Sequence, residues 1–474
     1  MPHKPGPATL ADLRAVVGTG GWLDSARDVD PYTHDFRRLY QGSTPLVLLP
    51  RNVAEVAQIL RICHRDEAAL VPQGGNTSYC GAATPDESGS QIVLSMRRLN
   101  RIRHIDADNF SMVVEAGSTL AEAQAAAQTA NRLFPLSLGS EGSAQIGGNL
   151  ATNAGGTAVL RYGMMRDLVL GLEVVLADGR ILSALKALRK DNTGYDVKSL
   201  FIGAEGTLGV ITAACLKLFP QPTDVATALI AVESPQRALE LLVRLRGSAG
   251  DQVTSFELLP RRAVELTVQY VDGVANPLAL EAAWYVLVEL GSPNPHQDLG
   301  ALLAEQLAQA AAAGTIRDAL VATSGMQAEA MWKLRESVPE AQRRQGASLK
   351  HDVSVPISAL PRLVAAGSRL VERLAPEGEV IAYGHVGDGN LHFNVSQRSG
   401  SDAAALMERQ AVLEEAMFDL VESLGGSFSA EHGIGRLRAA QLARRADPVE
   451  LAVMHDLKRV LDPKGILNPG KVLQ

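Results

Sequence analysis

Two histidines, His385 and His392, stand on either side of Gly387-Asp388-Gly389-Asn390 in the stretch AYGHVGDGNLHFNV. Read as a β-hairpin with that four-residue loop, the stretch sets Val386 opposite Leu391 and His385 opposite His392. Directly opposed residues of a strand pair share a face, with side-chain roots roughly 5 Å apart. Two imidazoles held in that way are half of a metal site. The same pair also arises with one histidine in a core and the other in solvent. Downstream, Glu431-His432-Gly433 offers a carboxylate and a third imidazole, which tilts the balance towards metal chemistry.

These groups need elements to position them. Pro45–Leu49 (PLVLL) reads as a short strand. Asn52–Arg65 reads as a helix, with Asn52 and Glu55 as its capping box and Val53, Val56, Ile59, Leu60 and Cys63 as one apolar stripe. Ala69–Pro72 returns as a strand and runs into Pro72-Gln73-Gly74-Gly75-Asn76-Thr77-Ser78. Such a loop turns with its N–H groups exposed and suits either a phosphate or a plain turn. It is neither a Gly-Lys-Ser/Thr phosphate loop nor a GxGxxG fingerprint. Thr9–Val17 predicts a helix opened by Thr9 and Asp12, and Thr119 with Glu122 opens another. Ile92–Ser95 and Met112–Glu115 predict strands. Leu138–Gly156 (LGSEGSAQIGGNLATNAGG) carries too many small residues for a packed helix or a good strand. It suits a large flat ligand lying against the backbone. Leu172–Leu182 predicts a hairpin with Asp178-Gly179 at its tip. The run Gly203–Gly209 leads into a strand over Val210–Leu218, and Pro220 and Pro222 mark a domain boundary. From Thr223 to Leu424, helices (Pro235–Leu245, Asp298–Ala313, Ala328–Arg344) alternate with strands (Trp284–Leu290, Val353–Ile357). That alternation predicts an α+β domain around an antiparallel sheet. Arg335 falls on one of its helices and Lys350 at the start of a strand. Both are residue types usually found solvated at a surface.

The chain of 474 residues, 46% hydrophobic and 20% charged, has the composition of a globular protein of several domains. Its net charge of −7 and the lack of a basic stripe with aromatics argue against nucleic-acid binding. Cys63, Cys80 and Cys215 are far apart, which excludes a cysteine-based zinc or iron–sulfur site and argues against a disulfide framework. The opening MPHKPGPATL has no apolar signal-peptide core, and no apolar run approaches the roughly 20 residues of a membrane span. A cytoplasmic location is the expectation.

Six motifs in order, PQGGNTS, IGGNLATNAGG followed by Arg161-Tyr162-Gly163, GAEGTLGVIT, GHVGDGNLH, AEHGIG and NPGK, make the chain recognisable from about Pro45 to Lys471. It resembles the FAD-linked oxidases and dehydrogenases of 2-hydroxy acids, of the vanillyl-alcohol-oxidase/p-cresol-methylhydroxylase fold. The resemblance implies an α+β protein with a two-subdomain FAD-binding domain over residues 1–221 (core about 41–220). A substrate cap with an antiparallel sheet over 222–424 and a helical C-terminal segment, 425–474, complete it. It implies that Pro72, Gly74, Gly75, Asn76, Thr77 and Ser78 hold the FAD pyrophosphate. Gly142, Ser143, Gly147, Gly148, Thr152, Asn153 and Gly155 would line the cofactor. Val210 and Ile211 would lie further along it, and Asn468 near its isoalloxazine ring. No histidine lies in the loop used for covalent flavin attachment in this fold, and Cys80 lies outside the motif, so non-covalent FAD is expected. By the same resemblance His385, His392 and Glu431 are ligands of a divalent metal, with zinc ahead of manganese and cobalt. His432 is then the catalytic histidine. An extended Glu431-His432 would point the two side chains to opposite sides, one to the metal and one elsewhere.

The resembled enzymes act on D-lactate, glycolate or D-2-hydroxyglutarate. Only the last has a second carboxylate, which needs a cation of its own. Lys350 in LKHDVSVP matches a lysine of the D-2-hydroxyglutarate dehydrogenases, and Arg335 matches the family's substrate arginine, which can clamp a carboxylate. Pro339 departs from the pattern, standing where relatives carry a hydroxyl side chain. Asn394, on the same strand face as His392, is a third candidate for substrate contact. The expected reaction is oxidation of D-2-hydroxyglutarate to 2-oxoglutarate, with electron-transfer flavoprotein or a quinone as acceptor and a homodimer as the assembly. The alternatives are a D-lactate dehydrogenase, a glycolate oxidase subunit, a non-catalytic FAD-fold subunit and, from another class, a metal-dependent hydrolase.

Overall fold

The computed structural model describes residues 3–278 and 281–473. They divide into two compact units. The first gathers the N-terminal residues through Gly155, Gly163–Gln221 and the chain from Glu431 onward; the second gathers Gly156–Tyr162 and Pro222–Ala430. The short segment Gly156–Tyr162 thus groups with the second unit although its neighbours on both sides belong to the first.

The first unit holds two main sheets. One runs in the order Trp22–Leu23, Val47–Leu48, Ile92–Ser95, Leu70–Gln73, its last three strands parallel. Helix Val53–Asp66 covers it, with Asn52 accepting from the Glu55 N–H and Val56, Ile59, Leu60 and Cys63 buried. The free edge of Leu70–Gln73 is taken by the C-terminal chain: Leu70 N–H donates to Ile466 O and Asn468 N–H to Leu70 O, both at 2.8 Å. The other sheet is antiparallel, in the order Ile102–Asp106, Ser111–Glu115, Val210–Lys217, Val169–Val175, Ile181–Ala184. Thr119 and Glu122 complete the expected capping box.

Two expectations need correction in this unit. The first helix starts at Pro7, not Thr9, because proline suits the first helical turn; Thr9 lies inside it and its hydroxyl donates to Asp66. The glycine-rich stretch does contain a helix, Ile146–Ala151. Ile146 and Leu150 anchor one side of it in the core, and Gly147 lets it approach Ala116, where a Cβ would fall 2.7 Å from the alanine Cβ. Glycine is used there for close approach and not to prevent a helix.

The second unit is built on an antiparallel sheet of Asp318–Val321, Asp224–Val232, Trp284–Ser292, Val253–Pro260, Gly378–His385, Asn390–Gln397 and Ser348–Leu349, with Asp352–Ser354 also on Asn390–Gln397. Alternate residues of these strands enter two cores. Phe256, Leu258, Val286, Val288 and Phe393 pack with helices Pro235–Ala249, Leu299–Ala312, Leu360–Leu374 and Gln410–Ser423. Leu259, Tyr285, Leu287, Ile381 and Tyr383 pack on the other face with helices Arg261–Tyr270, Gly325–Glu336 and Val338–Gln345. The helix expected over Ala328–Arg344 is therefore two, broken at Ser337. Pro339, in the first turn of the second helix, has no N–H to give the preceding turn.

Gly75 is a sharp test of the first unit's loop packing, because a Cβ there would fall 1.9 Å from Ser143 O. Gly75→Ala is expected to lower stability by about 1–3 kcal/mol, the usual cost of overpacking, seen as a lower thermal midpoint.

Candidate active site

The hairpin of the second unit closes differently from the reading above. Its loop is Val386–Gly389, and the strands pair Tyr383 with His392 and Ala382 with Phe393. Asp388 accepts from the Asn390 N–H and Gly389 takes a φ of +86°, which fixes the turn. The register is slipped by two residues from the expected one. An even slip keeps each side chain on its face, so the two imidazoles still meet, with ring centroids 5.4 Å apart. His392 now lies opposite Tyr383 on one strand and Asp352 on the other.

The residue that organises this face is Glu257, in the buried strand Val253–Pro260. Its Oε2 accepts from Arg335 Nε at 2.7 Å, and its Oε1 lies 2.6 Å from His385 Nδ1. Burial alone would raise its pKa; the charges and hydrogen bonds of His385 and Arg335 outweigh that and hold it at about 2. With Nδ1 turned to Glu257, Nε2 is the nitrogen His385 presents to a ligand, the arrangement by which outer carboxylates orient metal-binding histidines. The Arg335 guanidinium also lies over Tyr383, 4.9 Å from the ring centroid. His392 Nδ1 is 3.7 Å from Asp352 Oδ1, and Asn390 Nδ2 donates to the same oxygen. Two imidazoles beside carboxylates make a donor set that suits zinc, manganese or cobalt.

Lys350 and Asn394 belong to the same face. Leu349 pairs with Val395 and Asp352 with His392, so one register runs through and sets Lys350, half-buried, opposite Asn394. Asn394 is buried, and its Nδ2 donates to Gln342 Oε1, whose own amide donates to Ser396. That network locks the strand to helix Val338–Gln345, so Asn394 serves first as a brace. Glu289, a half-buried carboxyl on this face, accepts from Trp332 Nε1 at 2.8 Å and from Thr227; desolvation raises its pKa against these hydrogen bonds.

In the first unit, the expected cofactor loops come together. Gly74 and Gly75 lie against Ser143–Gly148, backbone to backbone, and Pro72 packs against Gly206. Asn76 takes a φ of +55° and its Nδ2 donates to His34 O. Thr77 and Ser78 are half-buried. Gly142 and Gly148 face open space, where Cβ atoms would meet nothing within 4 Å. Buried Gln145 Oε1, Asn149 Nδ2 and Asn468 Oδ1 have no hydrogen-bond partner among the described residues. Open glycine backbone beside unsatisfied buried amides fits a large polar cofactor. Other expected contacts are already engaged: Thr152 Oγ1 donates to Gly148 O, and Asn153 Oδ1 accepts from the Arg166 N–H. Gly155 is buried, and Val210 and Ile211 are buried in the strand that pairs with Val174 and Val175. Asn468 Nδ2 donates to Ala82 O and Glu205 O. Cys80 is buried, its Sγ 3.3 Å from Gly433 O. His432 lies beside Tyr79, ring centroids 4.6 Å apart.

Comparison with known proteins agrees with this architecture. Residues 44–184 match the FAD binding domain model, and residues 221–472 match the model of the C-terminal domain of FAD linked oxidases. The structure of p-cresol methylhydroxylase with substrate bound superposes with a TM-score of 0.77 over 98% of this chain and 96% of that one, at 16% identity, a likeness of fold. The chain is thus an FAD-linked oxidoreductase of the p-cresol-methylhydroxylase fold. The mitochondrial D-2-hydroxyglutarate dehydrogenase of Arabidopsis thaliana is 36% identical over 97% of this chain and 80% of its own. That of Bos taurus is 39% identical over 98% and 83%. The chain belongs to the D-2-hydroxyglutarate dehydrogenase family and is an FAD-dependent 2-hydroxyacid dehydrogenase.

The same relatives overturn the expected cytoplasmic location, since both are named as mitochondrial. The missing apolar signal core bore on secretion alone; mitochondrial leaders are amphipathic and basic and do not register on that criterion. Among the described residues, no helix is long and apolar enough to cross a membrane.

Sequence reasoning missed Glu257, Asp352 and Tyr383. The available signal for Glu257 was a lone carboxylate in the apolar run VTSFELLP. The two carboxyls should respond unequally to neutralisation. Glu257→Gln removes the charge shared by buried Arg335 and His385 and should cost about 3–5 kcal/mol, a drop of roughly 6–20 °C in the melting of the second unit. Glu289→Gln, with no cation paired to Glu289 among the described residues, should stay within about 1 kcal/mol near neutral pH.

Proposed function

We propose that the enzyme oxidises D-2-hydroxyglutarate to 2-oxoglutarate. The observation that carries this reading is the register that runs Lys350 opposite Asn394, on the sheet face that also holds Arg335, His385 and His392. A five-carbon dicarboxylate needs two cations, because an unpaired carboxylate in a closed site is costly. Arg335 binds one carboxylate through its planar fork and Lys350 the other. The names of the relatives from Arabidopsis thaliana and Bos taurus support the same substrate.

His432 takes the proton of the 2-hydroxyl as general base, and the carbon–oxygen bond becomes a ketone as the hydrogen on carbon 2 leaves with its electron pair. FAD, when bound, accepts that hydride. By the family resemblance His385, His392 and Glu431 would hold a divalent ion, whose charge would acidify the hydroxyl. Glu257 keeps His385 and Arg335 in their orientations throughout. Reoxidation of the flavin falls, in this reading, to an electron-transfer flavoprotein or a quinone.

The test is anaerobic bleaching of the flavin with D-2-hydroxyglutarate, D-malate, D-lactate and glycolate, with and without a chelator. D-2-hydroxyglutarate should give the highest kcat/KM, and the chelator should slow it; fastest bleaching by D-lactate or glycolate would transfer the reading to those enzymes. Lys350→Ala should lower kcat/KM for D-2-hydroxyglutarate about 10- to 100-fold, the worth of a charged hydrogen bond, and leave D-lactate nearly unchanged. Equal losses on both substrates would remove Lys350 from recognition of the second carboxylate. His432→Ala should slow flavin reduction about 10²- to 10⁴-fold.

A further inference from the structure

Glu205 is the other buried carboxylate whose surroundings call for an explanation. It is 6% exposed and takes a φ of +50°, between Gly203 at +82° and Gly206 at +72°. A non-glycine residue in that region is uncommon and is kept where its side chain has a task. Both carboxylate oxygens are committed: Oε1 accepts from the Ile434 N–H at 2.7 Å and Oε2 from the Gly435 N–H at 2.9 Å. The carboxylate lies so close beneath Gly433 that a Cβ there would fall 2.8 Å from Oε1.

The backbone of Glu205 ties two further segments to the same point. Its N–H donates to Ala151 O, at the end of the helix in the glycine-rich cofactor stretch. Its carbonyl accepts from Asn468 Nδ2 at 2.7 Å. One residue therefore links the cofactor helix, the turn that carries His432 and the C-terminal NPGK segment, all within the first unit. Among the described residues Glu205 has no ion-pair partner; burial pushes its pKa to about 7 even with two backbone N–H groups pointing at it. A glutamate held there without a cation is poorly explained by stability alone.

We infer that Glu205 is a positioning residue for His432: its carboxylate grips the Ile434 and Gly435 amides and so fixes the imidazole two residues upstream. The inference rests on His432 being the general base. The grip holds Gly433 at +72° and Gly435 at +51°, conformations that a loosened turn would leave. A general base displaced by an ångström loses rate without losing substrate affinity.

The experiment compares wild type, Glu205→Gln and Gly433→Ala as FAD-loaded enzymes. Glu205→Gln keeps one acceptor but turns an NH2 group towards a backbone N–H. Gly433→Ala leaves Glu205 intact and pushes the turn off the carboxylate, which covers the case in which the first variant does not fold. Hydrogen exchange of the 433–436 backbone amides should quicken at least 10-fold in either variant. Flavin reduction at saturating D-2-hydroxyglutarate should slow at least 10-fold per bound FAD, with the half-saturating concentration changed less than about 3-fold. Quickened exchange with a normal reduction rate, or unchanged exchange, would overturn the inference. If His432→Ala itself reduces FAD normally, the assignment of the base has failed, and the exchange data still decide whether Glu205 grips the turn.

Discussion

The second unit depends on one buried carboxylate shared by two partners. Glu257 joins a histidine of the hairpin to an arginine of helix Gly325–Glu336, a polar tie added to the apolar packing of Met331 and Leu334 with Ile381 and Tyr383. A carboxylate in an apolar strand is tolerable only while both partners stay, because the cost of losing water is repaid by their charges. The arrangement orients His385 by its Nδ1, steadies Arg335 over Tyr383, and brings an imidazole and a guanidinium onto one sheet face. The even register of the surrounding strands extends that face to Lys350 and His392.

The first unit solves a similar problem with backbone. Its glycine-rich loops, those expected to hold the cofactor, take their shape from glycines that let chain segments touch. Gly75 against Ser143, Gly147 against Ala116 and Gly435 against Cys80 O are contacts where a methyl group would fall 1.9, 2.7 and 2.2 Å from its neighbour. Small residues in these loops therefore have two distinct uses. Some permit close packing of the chain on itself, and others, such as Gly142 and Gly148, leave room.

Much of this was legible in the sequence, for identifiable reasons. Capped helices and apolar strands follow local rules, and the helix opened by Asn52 and the box of Thr119 and Glu122 formed as read. The six motifs identified the FAD-linked family through residue order alone. What escaped was non-local. The partners of Glu257 lie 78 and 128 residues away, and nothing in VTSFELLP points to them. The hairpin register depended on an Asp388 turn and on Gly389, and the choice among neighbouring registers is decided by pairing with other strands. The split of the helix at Ser337 comes from Pro339, whose place in the sequence marks a missing hydroxyl more plainly than a break in the backbone.

The discontinuity of the first unit bears on the order in which the protein can mature. The strand Leu70–Gln73 is made early, yet its outer edge is closed by Ile466–Asn468, and the whole second unit is synthesised between them. On the ribosome the second unit can complete its sheet while the first still has an open edge, a template for mispairing. The His432 turn and Asn468 also emerge after the second unit. The first unit is thus finished only after the second has been made, and a cell short of FAD would meet a nascent enzyme whose second unit is already folded.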